Sequence, residues 1–524
     1  MRPQYFCPEK SRASRGQNKL LAAVQSGDFA LRIKWQRNFR LFGTLIILLL
    51  ASCDAFAQIQ QAWVARYNNG IANGTNQAVK MTLDAAGNIY VVGVSQNTNT
   101  NLGYVTIKYA PNGNQLWASR FDSTNYPTAT PAALVIDNSN YAVVTGNALT
   151  IKYDTNGNQL WTAPYAGYAL GVDTSGNSVL TFGTGFDAVK LGPTGATLWH
   201  QRNPSSCGNA LGQAVVVDSG GNIYVAGSYP DFCNDGLINS EFLVIKYNPS
   251  GTEVWSTSYD DGGSPWQAVG ELVDGVGDVY VGGNFTGEAG SKYIVFGVNP
   301  AGNQIWIGGP FFNVNDVCYS VAIDQSQCLL MTGRVLGNSS FVYGTAKLGT
   351  NGSTLWTSYY PSNLVGPSVA NAIATDHSNN SYVTGYSAGI NGTNNIVTIK
   401  YGPNGNQLWL QSYNGLNAGN DSGNAIAVDN SGNVYVTGYE TLPGGGTGIV
   451  TIKYAPLSIQ RQTNGTVLIE TQGSPGESFD IQASSDLLNW LDLGTILADT
   501  NGLLQFDDTN APNFPARFYY TNPR

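Results

Sequence analysis

The chain has 524 residues, of which 63 are glycine and only 11% are charged, a balance that suits short strands and tight turns better than helices. Nine of its 25 basic and three of its 34 acidic residues lie in 1–57, leaving the body 16 and 31, a net charge of −15. That excludes nucleic acid as a partner, since phosphate binding needs clustered Lys and Arg, and two histidines exclude a multi-histidine metal site.

Arg37 and Arg40 precede the apolar run LFGTLIILLL at 41–50. Ten residues are too few to span a bilayer and fit the core of a signal peptide, so 1–57 is expected to be an export signal with a long basic start. Two cleavage readings stay open. Ala55-Phe56-Ala57 before Gln58 is an A-x-A site for free secretion, and Leu50-Ala51-Ser52-Cys53 resembles the bacterial lipobox, which would make Cys53 a lipid anchor. Either places the body in a secreted or cell-envelope setting, with the membrane reached only through Cys53.

From 63 onward one pattern recurs. An Asp opens a turn at 84, 137, 173, 218, 274, 324, 376 and 429, and a Trp recurs at 63, 117, 161, 199, 255, 306, 356 and 409. Each unit of about fifty residues holds four short strands, the mark of a β-propeller. In the last unit, strand A is AIAVD (425–429), B is VYVTGY (434–439) and C is IVTIKY (449–454); the unit before it supplies the example of strand D, LWLQSY (408–413). Strand A is expected to line the channel and D to lie outermost, with apolar residues alternating along B and C. The A–B turn reads Asp-x-x-Gly-Asn and the C–D turn Pro-Asn-Gly-Asn or a variant, Gly supplying positive φ. The short spacing from Asp137 to Asp173 reads as a loop lost from blade three, which keeps strand-like runs at 179–182 and 188–191.

The eighth unit stops at Tyr454 without its Trp strand, and Trp63-Val-Ala-Arg-Tyr67 is such a strand alone at the start. The N-terminal strand is therefore expected to complete the last blade and leave no raw sheet edge. The fold class is all-β: an eight-bladed propeller over 58–456, with seven blades as the alternative. A small β-sandwich over 457–524 follows, read from TVLIET, SFDIQASSDLLNWLDLG, LLQFDD and ARFYY.

These units resemble the bacterial SBBP family of β-propeller repeats, whose D-x-x-G-N-x-Y-V-x-G and I-K-Y-x-x-x-G-x-x-x-W hairpins recur here over about 63–456. The resemblance implies a propeller in an extracytoplasmic setting and no particular activity. The family name implies seven blades, and the count of eight departs from it. The C-terminal segment resembles a module of large secreted bacterial proteins through Ser485, Asp486, Leu487, Trp490 and Arg517-Phe518-Tyr519.

Alternating strands put the A–B and C–D turns on one face and the B–C and D–A loops on the other. The second set is the longer, as at 228–241, 259–266, 285–292 and 440–448, so any ligand is expected there. Around blades four and five that face gathers Tyr229, Asp231, Phe232, Asp235, Asp260, Asp261 and Trp266, aromatics beside carboxylates as sugar recognition uses. Ordinary loop residues are the competing reading. The repeated Asp is read as a turn stabiliser, because calcium needs six or more oxygens and each turn offers one carboxylate. A Lys on strand C recurs at 108, 152, 190, 246, 347, 400 and 453, with Gly297 in its place in blade five; it is expected to serve the repeated Asp or a turn carbonyl. Cys207 and Cys233 are a candidate disulfide on the long-loop face. Cys318 and Cys328 are excluded as a pair by a separation on the order of 20 Å along their hairpin.

The leading function is a non-catalytic, monomeric binding or scaffold propeller for a glycan or cell-surface protein, with no catalytic residue, cofactor or metal assigned. Two alternatives are carried. One is a propeller enzyme, a quinoprotein-like oxidoreductase or a polysaccharide lyase or hydrolase; the G-N-Q-L-W strand is reminiscent of the Trp-docking repeats of quinoprotein dehydrogenases, though the adjacent Cys pair of those enzymes is missing. The other is a purely structural display module.

Overall fold

The computed structural model describes residues 22–25 and 59–523, apart from 183–184, 204–209, 232–238, 260–265, 288–289, 311–314, 338–339, 361–365 and 390–391. The expected export signal, with Cys53, lies outside the described residues. The chain divides into a propeller unit over 60–455 with 472–475, and a second unit holding 456–471 and 476–524 with the described residues of 1–59.

Eight four-stranded blades make up the propeller. Blade one illustrates the order A to D: Asn76–Leu83, Ile89–Gln96, Leu102–Tyr109 and Gln115–Phe121. Each A strand lies against the A strand of the next blade, and that of blade eight (Ser422–Val428) against that of blade one, so the ring closes on eight rather than seven. Strand D of blade eight is Ile59–Tyr67, paired with Thr447–Pro456, as the missing Trp strand requires. Arg66 on that strand fixes the closure. Its Nε donates to Glu440 Oε1 at 2.6 Å and its Nη2 to the Tyr413 hydroxyl at 2.8 Å, and Tyr413 donates to Glu440 Oε2 at 2.7 Å.

Two sequence expectations change. Strands B and C do not alternate; they are buried almost throughout, as in Ile89–Gln96 and Leu102–Tyr109, because every blade is covered on both faces by neighbours. Some polar positions within them satisfy one another, as where Thr145 pairs with Thr150 at 2.8 Å and Thr437 with Thr451 at 3.0 Å, whereas the hydroxyls of Thr106, Ser178, Thr181 and Ser381 are buried with no hydrogen bond among the described residues. Between Asp137 and Asp173 the chain runs through blade two, so the shortening belongs there. Ala142–Gly146 and Thr150–Tyr153 are joined by three residues, and three more link Gln159–Ala163 to Gly167–Val172.

The repeated Trp is the contact between blades. Each indole Nε1 donates to a carbonyl in the C–D turn of the following blade: Trp63 to Pro111, Trp117 to Thr155, Trp161 to Pro193, Trp199 to Pro249, Trp255 to Pro300, Trp306 to Thr350 and Trp356 to Pro403, at 2.7–3.2 Å. The turn glycine lies flat on that indole. A Cβ at Gly251 would stand 2.7 Å from Trp199, and its φ of +85° already disfavours any other residue. Trp409 faces blade eight, where no C–D turn exists, and is instead buried between Tyr382 and Tyr454.

The Asp and Lys also serve the fold. Asp429 accepts from the backbone N–H of Ser431 and Asn433 at 2.9 Å and from the Asn433 side chain at 2.8 Å, and the other repeats do the same with small variations. Lys152, Lys190 and Lys347 pair with Asp137, Asp173 and Asp324 at 2.5–2.9 Å, and Lys108 and Lys400 with Asp84 and Asp376 at 3.8 Å. In blade eight burial lowers Lys453 to about 8, the pull of Asp429 offsetting only part of it.

The C-terminal unit has two small sheets, one of Ser458–Arg461, Val467–Gln472 and Leu503–Asp508, the other of Ser478–Ser484, Leu491–Leu497 and Ala516–Pro523 with Ala22–Gln25 paired along the last. Val467 and Ile469 pack against Ile481, Ala483 and Tyr519 between them. Arg517-Phe518-Tyr519 is a strand of this core: the Arg517 Nε and the Tyr519 hydroxyl meet Asp508 Oδ2 at 2.8 and 2.9 Å.

Two substitutions test the closure. Gly251→Ala is expected to cost roughly 2–4 kcal/mol through backbone strain and the clash with Trp199. Arg66→Met, which leaves Glu440 buried without its cation, is expected to cost about 3 kcal/mol. Urea unfolding of each variant against wild type measures both.

Candidate binding face at the channel mouth

The two faces of the ring differ in what their residues are free to do. On the face of the A–B and C–D turns, the Asp, Asn, Gly, Lys and Trp side chains hold turns and join blades. The opposite face carries the B–C hairpins and D–A links.

That face is less irregular than the sequence suggests. Ile223–Asp231 and Asn239–Tyr247 pair to their ends, so Tyr229 and Asp231 are strand residues opposite Glu241 and Asn239. Val279–Gly287 and Gly290–Val298 likewise absorb most of the loop expected at 285–292. Ladder bonds there continue past the core, so the hairpins extend as arms. Trp266 begins strand A of blade five, opposite Phe285. Tyr229 is half-buried and packs edge-on to Phe186, with ring centroids 6.3 Å apart, so it serves the core beneath. Phe232, Asp235, Asp260, Asp261 and the pair Cys207 and Cys233 lie outside the described residues. Cys318 and Cys328 are free thiols, Cys318 opposite Gly333 and Cys328 at the turn of Asp324.

A cavity of about 470 Å³ opens on this face, on the side of the ring away from blades four and five. Its wall comes from blades one, two, seven and eight: Thr75, Gln77, Val79, Val94 and Leu102 of blade one and its entry, Thr130 at the entry to blade two, Asn371 and Asn424. Strand A has a bulge near its outer end in every blade, one residue being skipped in the register with strand B, and Val79, Asn371 and Asn424 are such residues. Asn371 Nδ2 donates to the Gly423 carbonyl at 2.9 Å and Asn424 Nδ2 to that of Ala78 at 2.8 Å, tying adjacent A strands. Among the described residues the hydroxyls of Thr75 and Thr130 and the amide of Gln77 make no hydrogen bond, and the wall carries no charge. Sequence reading missed this cavity because its residues belong to strand ends far apart in the chain.

Lys80 and Glu271 are the two charged residues on the eight A strands, in blades one and five, which stand opposite each other in the ring. Lys80 is exposed on its strand. Glu271 sits where blade one has Met81, by register with Val281 and Val91, and is buried with neither carboxylate oxygen hydrogen-bonded among the described residues. Desolvation raises its pKa well above the ordinary carboxyl range.

Fold and site together define a closed eight-bladed β-propeller with a cavity at one mouth. Two propeller sequence families match parts of the chain. The sequence family described as outer membrane protein assembly factor BamB matches residues 102–306, and that of the SBBP β-propeller repeat matches 413–439. No curated protein matches the chain. Among solved structures, Sqt1 from Chaetomium thermophilum is 10% identical, covering 75% of this chain and 99% of its own at a TM-score of 0.49. A protein from Bacteroides caccae is 11% identical over 53% and 92% of the two chains at 0.32, and one from Dyadobacter fermentans 10% identical over 76% and 98% at 0.35. Likeness at this level carries no argument about what the chain binds.

The buried acid yields a pH test. An acid whose pKa is raised by folding binds its proton more tightly in the folded state, so stability falls as pH rises from about 4, the unfolded value, up to the folded one. Glu271→Met is expected to flatten that decline and to add roughly 1–3 kcal/mol at neutral pH, measured as urea midpoints across pH 4 to 9.

Proposed function

We propose that this chain is an exported, non-catalytic binding propeller that presents the B–C and D–A face to a glycan or a cell-surface protein. One observation carries the reading: beside the bonded Asn371 and Asn424, the cavity at the channel mouth is lined by the Thr75 and Thr130 hydroxyls and the Gln77 amide, which have no partner among the described residues, while the repeated Asp and Asn of the turn face hold their turns. A rigid ring with unused hydrogen-bonding capacity at one mouth is suited to recognition. Export is supported by the basic flank and apolar run at 37–50, with cleavage at Ala57 or acylation at Cys53. The BamB description of the matched family favours a protein of the envelope as the partner class.

The test is co-sedimentation of the full chain with insoluble polysaccharides, isolated bacterial cell walls and outer-membrane fractions. Retention on one of these, reduced when Val79→Trp fills the cavity, is the expected result. No retention on any of them overturns the binding reading in favour of a display module.

A further inference from the structure

The channel mouth is not uniform around the ring. On blades six, seven, eight and one the bulge residue of strand A is Tyr319, Asn371, Asn424 and Val79. Strand B adds a second tier. In each of these blades a glycine (Gly333, Gly385, Gly438 or Gly93) presses against the A-strand carbonyl, with a Cβ there standing 1.8–2.2 Å from that oxygen. The residue just beyond it is Arg334, Tyr386, Tyr439 and Val94, respectively. Val94 lines the 470 Å³ cavity, so the same register carries Tyr439, Tyr386 and Arg334 onward around the mouth.

The side chains bear this out. Tyr386 and Tyr439 are half-buried, and Tyr319 is 39% exposed. Desolvation raises the pKa of Tyr386, with smaller effects from Tyr319, Tyr439 and Arg334, so the four groups lie within electrostatic reach of one another. Arg334 rests over the Phe341 ring at 4.6 Å, and its Nε is buried with no hydrogen-bond partner among the described residues. At the bulge each half of the ring has one tyrosine, Tyr319 and Tyr168, but the strand B position holds Asn147, Ser228 and Asn284 in blades two, four and five, so the strand B tyrosines belong to one side.

Building on the binding role proposed above, we infer that blades six to eight and blade one hold a site for a neutral oligosaccharide, with Tyr319, Tyr386 and Tyr439 as stacking surfaces and Gln77, Thr75 and Thr130 as hydroxyl partners inside the cavity. The chemistry selects this class. Tyrosine rings offer flat apolar faces with a polar edge, which suit the C–H faces of sugars, and unpaired amides and hydroxyls both donate and accept, which suits sugar hydroxyls. The cavity volume falls within the roughly 300–1,000 Å³ of small-molecule sites and its wall is uncharged. A polyanion is disfavoured by a chain of net charge −9. A peptide adding as a strand would need a free sheet edge, and the inner edges of blades eight and one are already bonded by Asn371 and Asn424.

The experiment is binding of the full chain to an array of immobilised neutral oligosaccharides, fragments of β-glucan, α-glucan, xylan and chitin. Titration calorimetry on the best of them follows, with thermal unfolding as the folding control. Tyr386→Ala and Gln77→Leu are expected to weaken binding about tenfold or more each, while Tyr168→Ala, at the bulge of blade three, leaves it unchanged. The Gln77 side chain makes no hydrogen bond among the described residues, so its variant keeps the test open if Tyr386→Ala unfolds. Oligosaccharide binding that Tyr386→Ala and Gln77→Leu leave intact overturns the site but keeps the binding role. Absence of oligosaccharide binding together with capture of an envelope protein lost in Val79→Trp overturns the ligand class alone. Absence of both overturns the binding role with it.

Discussion

The ring depends on one repeated contact, an indole laid on the glycine of the next blade's C–D turn and hydrogen-bonded to a carbonyl of that turn. The contact needs three things at fixed places: a Trp on the outer strand, a glycine whose missing Cβ admits the ring, and a turn whose positive φ aims the carbonyl outward. Because it always points from one blade to the next, it sets both order and spacing, and seven of the eight joints share it. The eighth is the chain break. There Trp409 is buried between tyrosines, and the Arg66, Tyr413 and Glu440 cluster joins the first strand to the last blade.

This arrangement gives the two faces different work. The Trp latch, the Asp turn and the buried Lys all draw on the A–B and C–D side. The opposite face is held by ladder bonds and by side-chain amides of the A-strand bulges, and among the described residues Gln77, Thr75 and Thr130 keep unpaired side chains at the mouth.

Much of this was legible in the residues themselves. The Asp and Trp series count blades because each marks an obligatory turn or joint, and the lone Trp63 strand announces the closure. Lys108, Lys152, Lys190, Lys347 and Lys400 find the Asp partner that the repeat suggested. Other readings changed because their physical cause is not local. Strands B and C are buried on both sides by neighbouring blades, which alternation within one strand does not express. The residues at 285–292 look like a loop by their glycines and polar side chains, yet the ladder runs nearly through them. Tyr229 looks like a surface aromatic and packs on Phe186, since the blade beneath it is present only in the fold.

By itself the sequence determined the repeat, the number of blades, the strand that closes them and the roles of Asp, Lys, Gly and Trp, because each rests on contacts within a unit or between one unit and the next. Only the tertiary structure decided what meets at the mouth. Gln77 and Thr130 stand far from Asn371 and Asn424 in the chain, and Tyr319 far from Tyr439; the closed ring brings their strand ends to one opening. Glu271 belongs to the same class: its isolation comes from the blade packed over it, which no neighbour in sequence reveals.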